Sequence, residues 1–93
     1  MQYSFNYLVQ LYVRIEDYDS AIDTYLKYIS TNNLYVCADF LYRIGIIYNR
    51  YLKDLETSRV YMECSFITLE KINNKDDDII DFMNTINKYL FKK

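Results

Sequence analysis

Asp17-Tyr18-Asp19-Ser20-Ala21-Ile22-Asp23-Thr24-Tyr25, with Tyr12 five residues upstream, joins a tight interhelical turn to a helix with a small residue on its apolar face. Asp17 can cap that helix, because its carboxylate can accept the free backbone amides of the first turn. Beyond the cap, Tyr18, Ala21, Ile22, Tyr25, Tyr28 and Ile29 share one face at helical spacing. Upstream, from Tyr3 to Ile15, the residues Phe5, Leu8, Tyr12 and Ile15 form a second apolar stripe, widened by Val9 and Leu11. Two antiparallel helices are expected.

Working outward, Ser30-Thr31-Asn32-Asn33 is a polar break whose side chains compete for local backbone groups and favour a turn. A third helix is expected over Leu34 to Leu52, with Cys37, Leu41, Ile44, Tyr48 and then Tyr51 or Leu52 on one stripe. Phe40 and Ile47 flank that stripe, so this helix is apolar around much of its circumference and is expected at the centre. Lys53-Asp54 turns into a fourth helix carrying Leu55, Ser58, Met62, Ser65 or Phe66, Leu69 and Ile72. Asn73-Asn74-Lys75 ends it. The last helix starts in Asp76-Asp77-Asp78, continues through Ile79, Phe82 or Met83, Ile86 and Leu90, and ends among Lys88, Lys92 and Lys93. Acid at its start and base at its end both suit the helix dipole.

Composition agrees with an all-α chain. The 93 residues contain no Pro and one Gly, Gly45, which leaves little to break helices or build hairpin turns. Hydrophobic residues make up 52% and charged residues 26%, the balance of a chain that folds. At this length a single domain is expected. A net charge of -2 with dispersed Lys and Arg does not supply the basic face by which proteins displace counterions from nucleic acid. No apolar run is long enough to span a bilayer, since Arg43 and Arg50 flank Ile44 to Tyr48. The opening Met1-Gln2-Tyr3-Ser4-Phe5-Asn6 lacks the basic start and apolar core of a secretion signal, so an intracellular, cytoplasmic location is expected.

Catalytic and metal-binding patterns are scarce. Histidine is absent, which removes the commonest general base and metal ligand. Cys37 and Cys64 stand 27 positions apart with no Cys-x-x-Cys pair, and are expected to be reduced and mostly buried. The Asp76–Asp78 triplet lacks the Asp-x-Asp-x-Asp-Gly pattern of a calcium loop, and Asp17, Asp19 and Asp23 divide between a cap and a solvated face. No enzyme activity, cofactor or metal is expected.

Helix pairs along a chain call for a search for internal similarity. Leu8-Val9, Tyr12, Asp17-Tyr18, Ala21 and Tyr25 stand in the order and spacing that resembles a tetratricopeptide repeat, whose period is about 34 residues. Ile44-Gly45 and Tyr48, then Asp54-Leu55, Ser58 and Met62 after one extra turn residue, form a second copy. The resemblance covers Gln2 to Glu70. It implies a right-handed α-α superhelix fragment of two antiparallel helix pairs, over residues 2–32 and 33–73, capped by a helix over 76–92. Leu8, Tyr12, Ala21, Tyr25, Gly45, Tyr48 and Ser58 would be its structural positions, with Ala21, Gly45 and Ser58 allowing close helix approach. The chain departs from the pattern in four ways: Val9 replaces a small residue, Glu16 stands where Gly is common, no Pro marks either repeat end, and Tyr12 and Tyr48 are 36 residues apart.

The same resemblance implies a job. In such arrays the first helix of each pair lines a groove, here through Asn6, Gln10 and Val13, then Tyr42, Ile46 and Asn49. Asn6 and Gln10 stand where the first cation and amide of a carboxylate-gripping groove would be, so that role is not implied. With 12 Tyr and 5 Phe, there is more aromatic surface than so small a core readily hides, and Tyr is favoured at interfaces. The expectation is a protein-interaction module, adaptor or assembly subunit whose partner is another protein chain or a second copy. The alternative is a membrane-surface or membrane-fusion adaptor, resting on Ile79, Phe82, Met83, Ile86, Leu90 and Phe91 with the terminal lysines. Glu16 to Tyr25 and Ala38 to Gly45 also look like segments of the SNAP family of membrane-fusion adaptors, themselves helical-hairpin stacks.

Overall fold

Every described helix start but the first is capped by a short polar side chain. In a computed structural model of the chain, which describes residues 2–29 and 33–91 with backbone alone over 2–6, five helices and no strand occur among the described residues. They are α1 (Gln2–Arg14), α2 (Tyr18–Lys27), α3 (Leu34–Arg50), α4 (Leu55–Glu70) and α5 (Asp77–Leu90). Asp17, Asn33, Asp54 and Asp76 each accept the backbone N–H three residues on, at 2.9–3.2 Å, which satisfies an otherwise orphaned amide. The Asp76–Asp78 triplet therefore starts a helix. At the far end of α4, which has no basic residue in its last turn, Lys75 folds back to donate to the carbonyls of Glu70 and Ile72 at 3.0 and 2.7 Å.

One turn occurs twice. Glu16 and Lys53, each just before a capping aspartate, have left-handed backbones with φ of 62° and 55°. The amides of Asp17 and Asp54 then bond back to the carbonyls of Tyr12 and Tyr48 at 2.8 and 2.9 Å. The second carboxylate oxygen of each aspartate accepts a hydroxyl three residues on, from Ser20 at 2.8 Å and Thr57 at 2.7 Å. Both left-handed positions are occupied by residues that carry a Cβ and so a steric penalty for that conformation.

Neighbouring helices pack in chain order, and the α3–α4 contact is the most extensive. Small residues make it so. The Ser58 hydroxyl donates to the Gly45 carbonyl at 2.8 Å and the Ser65 hydroxyl to the Ala38 carbonyl at 2.6 Å. Gly45 lies seven residues after Ala38, and Ser65 seven after Ser58, so two layers of antiparallel contact sit two helical turns apart. A Cβ added at Gly45 would stand 3.1 Å from Cε of Met62 and 3.3 Å from its Cγ and Sδ. Val9, 36 residues before Gly45 on α1, is buried in the same part of the core as Ala21.

The core has two parts that meet along α3. Val9, Ala21, Ile22, Tyr25, Ile44 and Ile47 form one; Ala38, Met62, Leu69, Ile79, Ile86 and Leu90 form the other. The central place expected for the third helix is observed. The molecule is a slab, 37 by 36 by 18 Å. Several expected orientations are corrected. Val9, with Tyr12 and Val13 beside it, carries the inner face of α1, whereas Leu8 is 40% and Ile15 67% exposed. Leu55 and Tyr28 face outward, while Thr24 is buried, its hydroxyl held by the Ser20 carbonyl at 2.7 Å. Cys64 is exposed, while Cys37 is half-buried with its thiol donating to the Ile29 carbonyl at 2.6 Å, and the two form no disulfide, so burial of both is not what the fold selects. Phe5, Lys92, Lys93 and the Ser30–Asn32 break lie outside the described side chains.

Candidate functional site

The groove positions separate by what α5 covers. Tyr42, on α3, meets Phe82 of α5 edge-on with ring centroids 5.2 Å apart, and Tyr89 at 6.0 Å. Ile46, one turn on, packs against the same part of the core. Val13 packs inward against the first part of the core. Gln10 is exposed and Asn49 half-buried, while the Asn6 side chain lies outside the described residues. The face read as one open groove is thus largely filled by α5 and by the core. Gln10 and Arg50 are exposed, and Val13, Tyr42, Ile46 and Asn49 each keep part of their surface in solvent.

Electrostatics around α3 stabilise its position. Arg43 bonds to Asp39 through Nε at 3.1 Å, one turn apart on the same helix. Burial works against the Arg43 charge, but Asp39 and Tyr25 outweigh it and raise its pKa. Burial also lifts the Tyr25 hydroxyl above the ordinary tyrosine range, with Arg43 pulling the other way. Tyr42 is raised by burial and by the Tyr89 hydroxyl next to it. The Asp54 carboxyl is held below its usual value by its bonds to Thr57. These shifts belong to caps and core tyrosines. Among the described residues no three His, Cys, Asp or Glu side chains converge to hold a metal ion, and no helix is long and apolar enough to cross a membrane.

Every buried side-chain polar atom among the described residues has a hydrogen-bond partner, so the interior presents no unused chemistry. The surface is different. Tyr7, Tyr28, Tyr35 and Tyr51 are exposed, although the ring of Tyr51 stacks on Tyr18 at 4.9 Å and that of Tyr35 meets Phe82 at 5.8 Å. On the outer side of α4, Val60 and Ile67 are 54% and 52% exposed, with Cys64 between them. Glu56, Glu63 and Glu70 follow one flank of this strip at seven-residue intervals. The periodic signal could have disclosed it: α4 has apolar residues on opposite sides, and the inward set was read as the whole.

The apolar side of α5 faces inward. Ile79, Ile86 and Leu90 are buried, Phe82 and Met83 pack beside them, and Phe91 is left exposed at the helix end. The stripe on which a membrane-surface reading rests is therefore used in the core. No protein-family model matches the sequence, and no curated protein and no solved structure gives a significant match to it.

Proposed function

We propose that the chain is a non-enzymatic protein-interaction module, an adaptor or assembly subunit built on tetratricopeptide-like helix pairs. The repeated unit carries this reading: a helix, a left-handed residue, a capping aspartate with its hydroxyl partner, and a second helix occur twice. Each unit buries one side on its neighbour and keeps another for solvent or a partner. Two units and one further helix make a small stack, and large apolar side chains remain exposed on all five helices. Among the described residues no group of three His, Cys, Asp or Glu side chains draws the reading towards catalysis.

Affinity capture from the native source tests this. The folded chain is expected to retain a defined protein at fixed stoichiometry, and Ala21→Arg, which forces a charge into a fully buried site, to lose it together with the fold. A folded chain that retains nothing beyond that variant would overturn the proposal.

A further inference from the structure

We infer that the outer side of α4 is a docking surface for a basic amphipathic helix of a partner protein. This rests on the interaction-module reading above and assigns it a face and a partner chemistry. The first observation is an inversion within α4. The helix turns Ser58 and Ser65 into the core, where their hydroxyls bond to α3, and turns Val60 and Ile67 outward. Val60, Cys64 and Ile67 are spaced by four and three residues, so they form one strip along the helix. Such a strip matches the seam that a second helix covers.

The second observation is charge. Glu56, Glu63 and Glu70 run along one flank of the strip, with successive carboxylates about 10.5 Å apart along the axis by helical rise. Arg59 reaches Glu63 at only 3.9 Å, with both side chains more than half exposed, so it offsets little of that row. Lys71 lies beyond Ile67, at the end of the strip. These charges select the occupant. Two-fold antiparallel pairing of this face with itself keeps each glutamate row on the same side of the interface. Glu63 would then meet Glu63, and Glu56 would meet Glu70. Antiparallel self-pairing is disfavoured, whereas a helix with an apolar seam and Lys or Arg every seven residues complements both strip and row.

The test uses the full chain and two designed helical peptides that share a Leu seam, one flanked by a Lys row and one by a Glu row. In fluorescence anisotropy at low salt, the Lys peptide is expected to bind at least about tenfold more tightly, a preference that shrinks at high salt. Glu56→Lys, Glu63→Lys and Glu70→Lys combined should invert the preference with the helical circular dichroism retained. Val60→Ser with Ile67→Ser should weaken the Lys peptide by about tenfold or more. Equal affinity for both peptides, or a preference that survives charge reversal, would overturn the inference. So would a concentration-dependent dimer abolished by Ile67→Ser, or flotation with anionic vesicles abolished by it. If the native partner is retained equally by wild type and the charge-reversed chain, this face is not the site and the interaction-module reading stands. If neither retains a protein, both proposals fail.

Discussion

Gly45 and Met62 compete for one volume, and this can be measured. Replacing Gly45 by Leu puts a Cβ 3.1–3.3 Å from three atoms of Met62, with the rest of the side chain beyond it, at a site where Met62 is 1% exposed. Overfilling a packed core costs about 1–3 kcal/mol, while removing Gly from a helix interior returns about 0.8–1.0 kcal/mol. A whole Leu side chain at so close an approach takes the upper part of that overpacking range, about 2–3 kcal/mol, so Gly45→Leu should be destabilising by about 1–2 kcal/mol net, a fall in Tm of about 4–16 °C for a domain of this size. Met62→Ala opens a cavity and should cost about 2–5 kcal/mol. Independent effects would add, but the new Leu can enter the space that Met62 leaves. The double variant should be more stable than the sum predicts by about 0.5–3 kcal/mol. A chain of 93 residues has about 5–14 kcal/mol of stability, which exceeds the loss at Gly45 throughout and the loss at Met62 except where the two ranges meet at about 5 kcal/mol. Urea unfolding followed by circular dichroism and tyrosine fluorescence reads all four proteins, since the chain has 12 Tyr and no Trp. Strict additivity, or a neutral Gly45→Leu, would refute the close α3–α4 crossing.

Three other outcomes follow from the same structure. Glu16→Gly relieves a left-handed conformation that costs a side chain about 1–2 kcal/mol, against about 0.5–1 kcal/mol of added chain entropy, so thermal unfolding should show a gain of about 0.5–1 kcal/mol. Lys53→Gly should behave alike, and a loss at both sites would contradict the repeated turn. Asp17→Ala removes an N-cap and should cost about 1 kcal/mol in urea unfolding, with Asp17→Asn retaining most of it. Burial raises the folded pKa of Tyr25 above its unfolded value, so the stability it contributes is complete below about pH 10 and is lost as pH rises through the folded value. Phenolate absorbance and circular dichroism recorded together should show Tyr25 ionising with loss of helix; a full phenolate signal from an intact fold would contradict its burial.

The residues differ in how much they disclosed. Asp17 was legible as a cap because capping joins a side chain to an amide three residues away, within one turn of chain. Ala21, Gly45 and Ser58 were legible as close-approach positions, and the Ser58–Gly45 bond joins two of them directly. The equivalent Ser65–Ala38 bond was missed, because Ala38 carries no periodic signal and its role depends on the register of α4. In α1, apolar side chains occupy five of the seven positions from Leu8 to Arg14, so a stripe could be drawn through Leu8 or through Val9. The groove positions were inferred on α1 and α3 alone. The rings of Phe82 and Tyr89, from a helix some forty residues away, cover Tyr42.

Five helices, the starts of most of them, and small residues at the crossings can all be read from the chain. Those properties arise from caps, periodicity and backbone sterics, which act over three or four residues. Packing between helices settles which side of α1 faces the core, that Cys64 is exposed, that Phe82 of α5 meets Tyr42, and which apolar side of α4, the one flanked by glutamates, is left outside. A helix with apolar residues on more than one side has no preferred inward face until a partner helix removes one of them from water.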